Sequence, residues 1–175
     1  MQMLLLCLYL AGNVLAGELV DRVVADVGGQ LVLLSDVNRE TVLAEVDVGG
    51  TPFWDPTWQS PEERLIDAAI VRTIAADVAL YEPTRKDVER RLEAIRARFP
   101  NRRGWRAFLD RIAVDETRLG FILCRRLVVD RYLRRNLLAD PADPDAFKAA
   151  AELHLGELRS VARIRRIPPA DVPTP

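Results

Sequence analysis

Catalysis needs side chains that converge, and the residues able to do chemistry in this chain are few and scattered. His154 is the only histidine, and it sits between Leu153 and Leu155 in a helical stretch. A metal site wants two or three nitrogen or sulfur ligands at defined spacing. One histidine with Cys7 and Cys124 makes no such cluster, so no metal is expected, and no other cofactor either. Cys124 stands next to Arg125 and Arg126, which would lower its pKa if the thiol faced them. Its place in an apolar run reads better as a buried core thiol. Ser35, Ser60 and Ser160 lie in no G-x-S-x-G context, and a triad would have only His154 to call upon. Carboxylates are plentiful, but Asp36, Glu62, Glu63, Asp115 and Glu116 fall where helices begin, and there they answer free N–H groups. Gly28-Gly29 and Gly49-Gly50 match neither phosphate-loop pattern and read as turns. The expectation is a protein that is not an enzyme.

Binding chemistry has better material. The segment Asp47 to Gln59 reads DVGGTPFWDPTWQ: its Gly and Pro forbid regular structure, yet Phe53, Trp54 and Trp58 are too apolar for an ordinary solvated loop. Large aromatic area at low entropy cost suits either a core plug or a surface that binds extended peptide, and both readings stand. Arginines gather at Arg102, Arg103 and Arg106, at Arg125, Arg126, Arg131, Arg134 and Arg135, and at Arg163, Arg165 and Arg166. Asp and Glu are interleaved among them and the net charge is −1, so solvated faces and ion pairs are expected and nucleic acid is not a partner.

Two strand-like runs at the ends must frame these residues. Leu19 to Val27 turns at Gly28-Gly29 into Gln30 to Leu34, and Val161 to Ile167 comes near the C-terminus. An isolated hairpin is marginal in water, so the last strand is expected to pair with the first hairpin and close the chain into one unit. Helices fill the interval. Ser35-Asp36 predicts a cap for a helix to about Val46. Ser60, Pro61 and Glu63 open a second, with Ile66, Ile70 and Ile74 as its stripe, ending near Tyr81. Thr84 and Asp87 open a third, stopped by Pro100, and a short helix spans about Gly104 to Ala113. Asp115 caps the longest, Glu116 to about Leu137, apolar around most of its circumference and therefore central. Residues 138–145 read as a linker, and Asp143-Pro144 starts a last helix on which Phe147, Ala151, Leu155 and Leu158 share a face. The fold class expected is mainly α, several helices with a small antiparallel sheet of the N-terminal hairpin and the C-terminal strand, in a single domain over 17–167.

At 175 residues, 49% hydrophobic, the chain can bury a real core. All but two of its 25 basic side chains are arginine, a bias consistent with a GC-rich genome. Residues 1–16 carry no charged side chain and are too short to span about 30 Å of hydrocarbon as a helix. They fit the apolar region of a secretory signal cut after Ala16. A retained anchor or a buried strand is the alternative, and no stable membrane span is expected. Removal of that segment leaves Cys124 alone, with no intramolecular disulfide. The tail 168–175 is expected to be disordered.

The ordered set of segments resembles the chaperone module of the SurA-type periplasmic chaperones and their parvulin-linked relatives. Val20 to Val27 and then Val32-Leu33-Leu34-Ser35-Asp36-Val37 are similar to that family's opening hairpin and Ser-Asp helix start. Leu65-Ile66-Asp67, the turn Glu82-Pro83-Thr84 with Asp87-Val88, Phe108-Leu109 and the run Leu119 to Leu133 continue it. Glu157 to Ile164 looks like the family's C-terminal helix and strand. Larger relatives insert parvulin prolyl-isomerase domains where this chain has only Leu138 to Asp145, so isomerase activity is not carried over. The resemblance implies ATP-independent holding of unfolded outer-membrane or secreted proteins in the periplasm, through extended, aromatic-rich segments, with Phe53, Trp54 and Trp58 as candidate peptide-binding residues. The alternative is a structural interaction protein of the same fold, serving one dedicated partner or forming a homodimer.

Overall fold

The structure, a computed structural model, describes residues 21–168. The leader expected over 1–16, and all but the first residue of the tail expected over 168–175, lie outside them. The described chain is mainly helical with a three-stranded antiparallel sheet, as the patterning predicts.

Strand β1 (Val23–Val27) turns into β2 (Gln30–Leu33) through Gly28 and Gly29, whose φ values of 58° and 91° put both in the left-handed region where glycine carries no Cβ penalty. The Asp26 side chain accepts the Gly29 N–H at 2.8 Å and tightens the turn. Strand β3 (Ile164–Arg166) lies antiparallel on the other edge of β1, pairing Val27 with Ile164 and Ala25 with Arg166, so the order is β2-β1-β3. The two ends of the described chain therefore close on each other. Strict alternation along β1 fails, however. The register shifts between Val23 and Ala25, and this bulge turns both Val24 and Ala25 into the core, where alternation would place Val24 on the opposite face.

Helix α1 (Leu34–Val46) begins two residues earlier than a Ser35 cap predicts, with Leu33 in the cap position. The Leu34 N–H donates to Arg22 O at 2.8 Å, so the chain passes from strand to helix without a break. Asp36 then reaches back to the Leu33 N–H, and the Ser35 hydroxyl turns to Asp21. Helix α2 (Pro61–Ala75) is capped by Ser60, which accepts the Glu63 N–H at 3.2 Å. The Glu63 carboxylate does not complete a reciprocal box; it takes Arg166, tying β3 to the start of α2. The predicted run to Tyr81 breaks at Ala75, and a 3-10 turn at Ala79–Tyr81 follows because the chain must swing round to the next cap. Ile74 is left 44% exposed and drops out of the stripe.

Thr84 and Asp87 form a full capping box for α3 (Arg85–Arg96), each side chain accepting the other's backbone N–H. Helix α4 (Arg102–Arg111) starts at Asn101, whose side chain accepts the Gly104 N–H at 2.9 Å. That cap lies just upstream of the predicted start. Asp115 caps α5 (Glu116–Asn136) and Asp143 caps α6 (Pro144–Val161). Val161 belongs to that helix and is 83% exposed, so the last strand is shorter than its apolar run suggests.

Three buried clusters share two helices. The first joins α2, α5 and α6 around Phe53, Phe147 and Leu133; the second joins α1, α3, α4 and α5 around Leu43, Trp105 and Leu119; the third seats the sheet on Ile66 and Ile70 of α2. Helix α5 runs through the first two, which makes it the central helix its composition predicts.

Candidate functional site

The aromatic loop between α1 and α2 is drawn inward. Phe53 is fully buried and Trp54 is 3% exposed, their rings meeting edge to face at 4.7 Å. Both plug the cluster between α2, α5 and α6, so of the two readings of this loop the core plug describes where their rings lie. The reason is positional: Asp130 of α5 accepts the Thr51 N–H at 3.0 Å, the Thr51 hydroxyl at 2.7 Å and Trp54 Nε1 at 2.9 Å. Only Trp58 stays half-buried, with its Nε1 donating to Glu152 of α6 at 3.1 Å.

Beneath the loop lies a buried set of charges. Glu40 of α1 accepts Arg64 Nε at 2.9 Å and Arg126 Nη1 at 2.6 Å. Asp47 takes Arg91, and its other oxygen lies 2.8 Å from Arg126 Nε. Arg64 also donates to the carbonyls of Asp55 and Gln59, pinning the C-terminal part of the aromatic segment. The Arg126 guanidinium stacks 3.8 Å from the Trp54 ring centroid. Arg64, Arg91 and Arg126 thus face Glu40, Asp47 and Asp130, three charges of each sign, all nearly excluded from solvent. Burial pushes the Asp130 carboxyl above its ordinary range, against the pull of Thr51 and of the arginines. The Nη2 atoms of the three arginines are buried without hydrogen-bond partners among the described residues, so the network is neutral but not saturated.

Of these residues only Arg126 stands among the arginines singled out by clustering, and there a solvated face is expected. The missed signal is periodic: Leu119, Leu123, Arg126, Asp130, Leu133 and Leu137 are spaced four, three, four, three and four, and all are buried. A seam of that spacing carries its charges inside with its leucines. Arg64 is on the same buried face of α2 as Ala68, Val71 and Ala75.

A cleft of about 80 Å³ opens between β2, α1, α2 and α5. Leu31, Leu65 and Ile122 give it apolar walls, Trp54 and Arg126 form part of its lining, and Arg39, Arg72 and Arg125 add positive charge. Other candidates do not converge with it. His154 lies on Tyr132, 3.1 Å from its hydroxyl. Cys124 is half-buried rather than a core thiol, and burial pushes it up, so it is not activated. Glu116 accepts Trp105 Nε1 at 2.7 Å and also pairs with Arg96, which hold its carboxyl below the usual range. Arg102, Arg103 and Arg106 line a shallow surface of α4, and Arg165 and Arg166 pair with Asp26 and Glu63. Among the described residues, no group of three His, Cys, Asp or Glu side chains could hold a metal ion, and no helix is long and apolar enough to cross a membrane. No family model, curated protein or solved structure matches the chain.

Proposed function

We propose that this protein is an ATP-independent holdase of the SurA type, exported to the periplasm, that binds unfolded outer-membrane or secreted chains and has no prolyl isomerase activity. The cleft between β2, α1, α2 and α5 carries the reading: it combines apolar walls with charged flanks, and exposed Leu31 stands on its rim. The short connection from α5 to α6, residues 137–143, supports the absence of an inserted isomerase domain at that point. Weak contacts suffice for holding, because a holdase acts on the unfolded chain by mass action. The test is light scattering of an unfolded β-barrel protein diluted from urea, with and without the purified protein and without nucleotide. Suppression at near-stoichiometric ratios is expected; unchanged aggregation would end the reading.

A second reading, a homodimer or a dedicated-partner protein, draws on the outer face of α6, where Leu153 is 71% exposed and Val161 83%. Light scattering coupled to size exclusion separates it: a concentration-independent dimer that Leu153→Glu splits would favour this reading over the holdase.

A further inference from the structure

We propose that the cleft between β2, α1, α2 and α5 receives the C-terminal carboxylate of an apolar polypeptide, held by Arg72 and Arg125. The proposal rests on the holdase reading and names what that cleft takes. Its charges do not cancel. Arg39 is engaged by Asp36 at 2.6 Å and Arg126 by Glu40 at 2.6 Å, so the two carboxylates of the lining are spoken for. Arg72 has only the neutral Gln30 Oε1 as acceptor, at 3.1 Å, and Arg125 has no hydrogen-bond or ion-pair partner among the described residues.

Two guanidinium groups therefore share one cleft, and neither is bonded to a carboxylate among the described residues. Burial, then the neighbouring Arg125, push Arg72 down to about 10, only partly offset by the Asp36 carboxylate, which accepts its hydrogen bond from Arg39. A guanidinium has five N–H donors in a planar fork that matches a carboxylate, and Arg72 uses one of them here. Arg72 and Arg125 call for a carboxylate, and Leu31, Leu65 and Ile122 in the same lining call for apolar carbon directly behind it, a pairing that a chain end with an apolar last residue carries in one unit. Leu31, Leu65 and Ile122 then offer apolar contact to the terminal side chain.

The test is fluorescence anisotropy of the purified protein with an N-terminally labelled apolar octapeptide ending in phenylalanine, as free acid and as carboxamide. The free acid is expected to bind about tenfold tighter, since a bidentate charged hydrogen bond is lost in the amide. In Arg72→Gln the acid-to-amide ratio falls toward one. Arg125→Gln, on an exposed side chain that folding tolerates, gives the same loss independently. Equal binding of the two peptides, a ratio that survives both substitutions, or no binding of either peptide would each overturn the proposal. So would displacement of the peptide by decanoate at comparable concentration, because the cleft would then take any apolar carboxylate. Equal binding together with intact suppression of aggregation leaves the holdase reading standing, whereas loss of both ends both.

Discussion

Replacing Glu40 by glutamine keeps the side chain's shape and removes one negative charge from the core. Glu40 is 4% exposed and bridges Arg64, which is fully buried, to Arg126, which is 4% exposed. Without it three guanidinium groups face two carboxylates, and the new amide presents donors toward groups that are themselves donors. Breaking a buried pair by removing one partner costs about 3–5 kcal/mol, because the remaining charge stays desolvated and unpaired. Against a total stability of about 5–15 kcal/mol that is a large fraction. With a urea dependence of about 2 kcal/mol per molar, the unfolding midpoint should fall by about 2 M. Tryptophan fluorescence reports the change near Trp54, which lies under Arg126, and far-UV circular dichroism must give a coincident transition for the comparison to hold. Arg64→Met added to Glu40→Gln restores equal numbers of each sign, so the double variant should be no less stable than the single one. A loss under about 1 kcal/mol in Glu40→Gln, at unchanged slope, would refute the view that this network is held by charge balance.

Asp55 is bonded by Lys148 at 2.7 Å and by the Thr57 N–H and hydroxyl, which together hold its carboxyl down to about 2 against an unfolded value of 3.8. Its folded pKa is depressed, so its contribution is present above about pH 3.8 and lost as pH falls toward 2. Asp55→Asn should cost about 1 kcal/mol at pH 7, after discounting for its solvent contact, and the difference from wild type should vanish by about pH 2 in thermal melts. Gly50→Ala would bring a Cβ to 2.7 Å from both Arg91 Nη2 and Trp54 Cδ1, two groups fixed by their own bonds. An overpacking loss of about 1–3 kcal/mol by urea denaturation is expected, and a neutral result would show that the loop moves freely. Phe53→Ala should cost about 3–5 kcal/mol, whereas half-buried Trp58→Ala should cost clearly less; equal losses would contradict the core-plug assignment.

The element order is legible in the residues because it is written in local hydrogen bonds. Ser60, Thr84, Asp115 and Asp143 each answer a backbone N–H three positions on, and Gly28-Gly29 meets a turn that needs positive φ. Where a cap is missed, at Asn101, the signal is of the same local kind. The helix start at Leu34 differs because Ser35 is drawn to Asp21, fourteen residues away in sequence. The candidate site is less legible. Clustering of arginines places Arg126 on a wet surface, while its partners Glu40 and Asp47 come from another helix and its end.

By itself the sequence determined where helices and strands begin, that they are amphipathic, and that the two end segments would need each other. Those are properties of neighbouring residues and of a strand's unmet backbone groups. Only the tertiary structure decided which charges go inside and where the aromatic loop points. A buried arginine is stable only where an acceptor meets it in space, as Glu40 meets Arg64 and Arg126 from 24 and 86 residues away, and no local pattern reports that meeting.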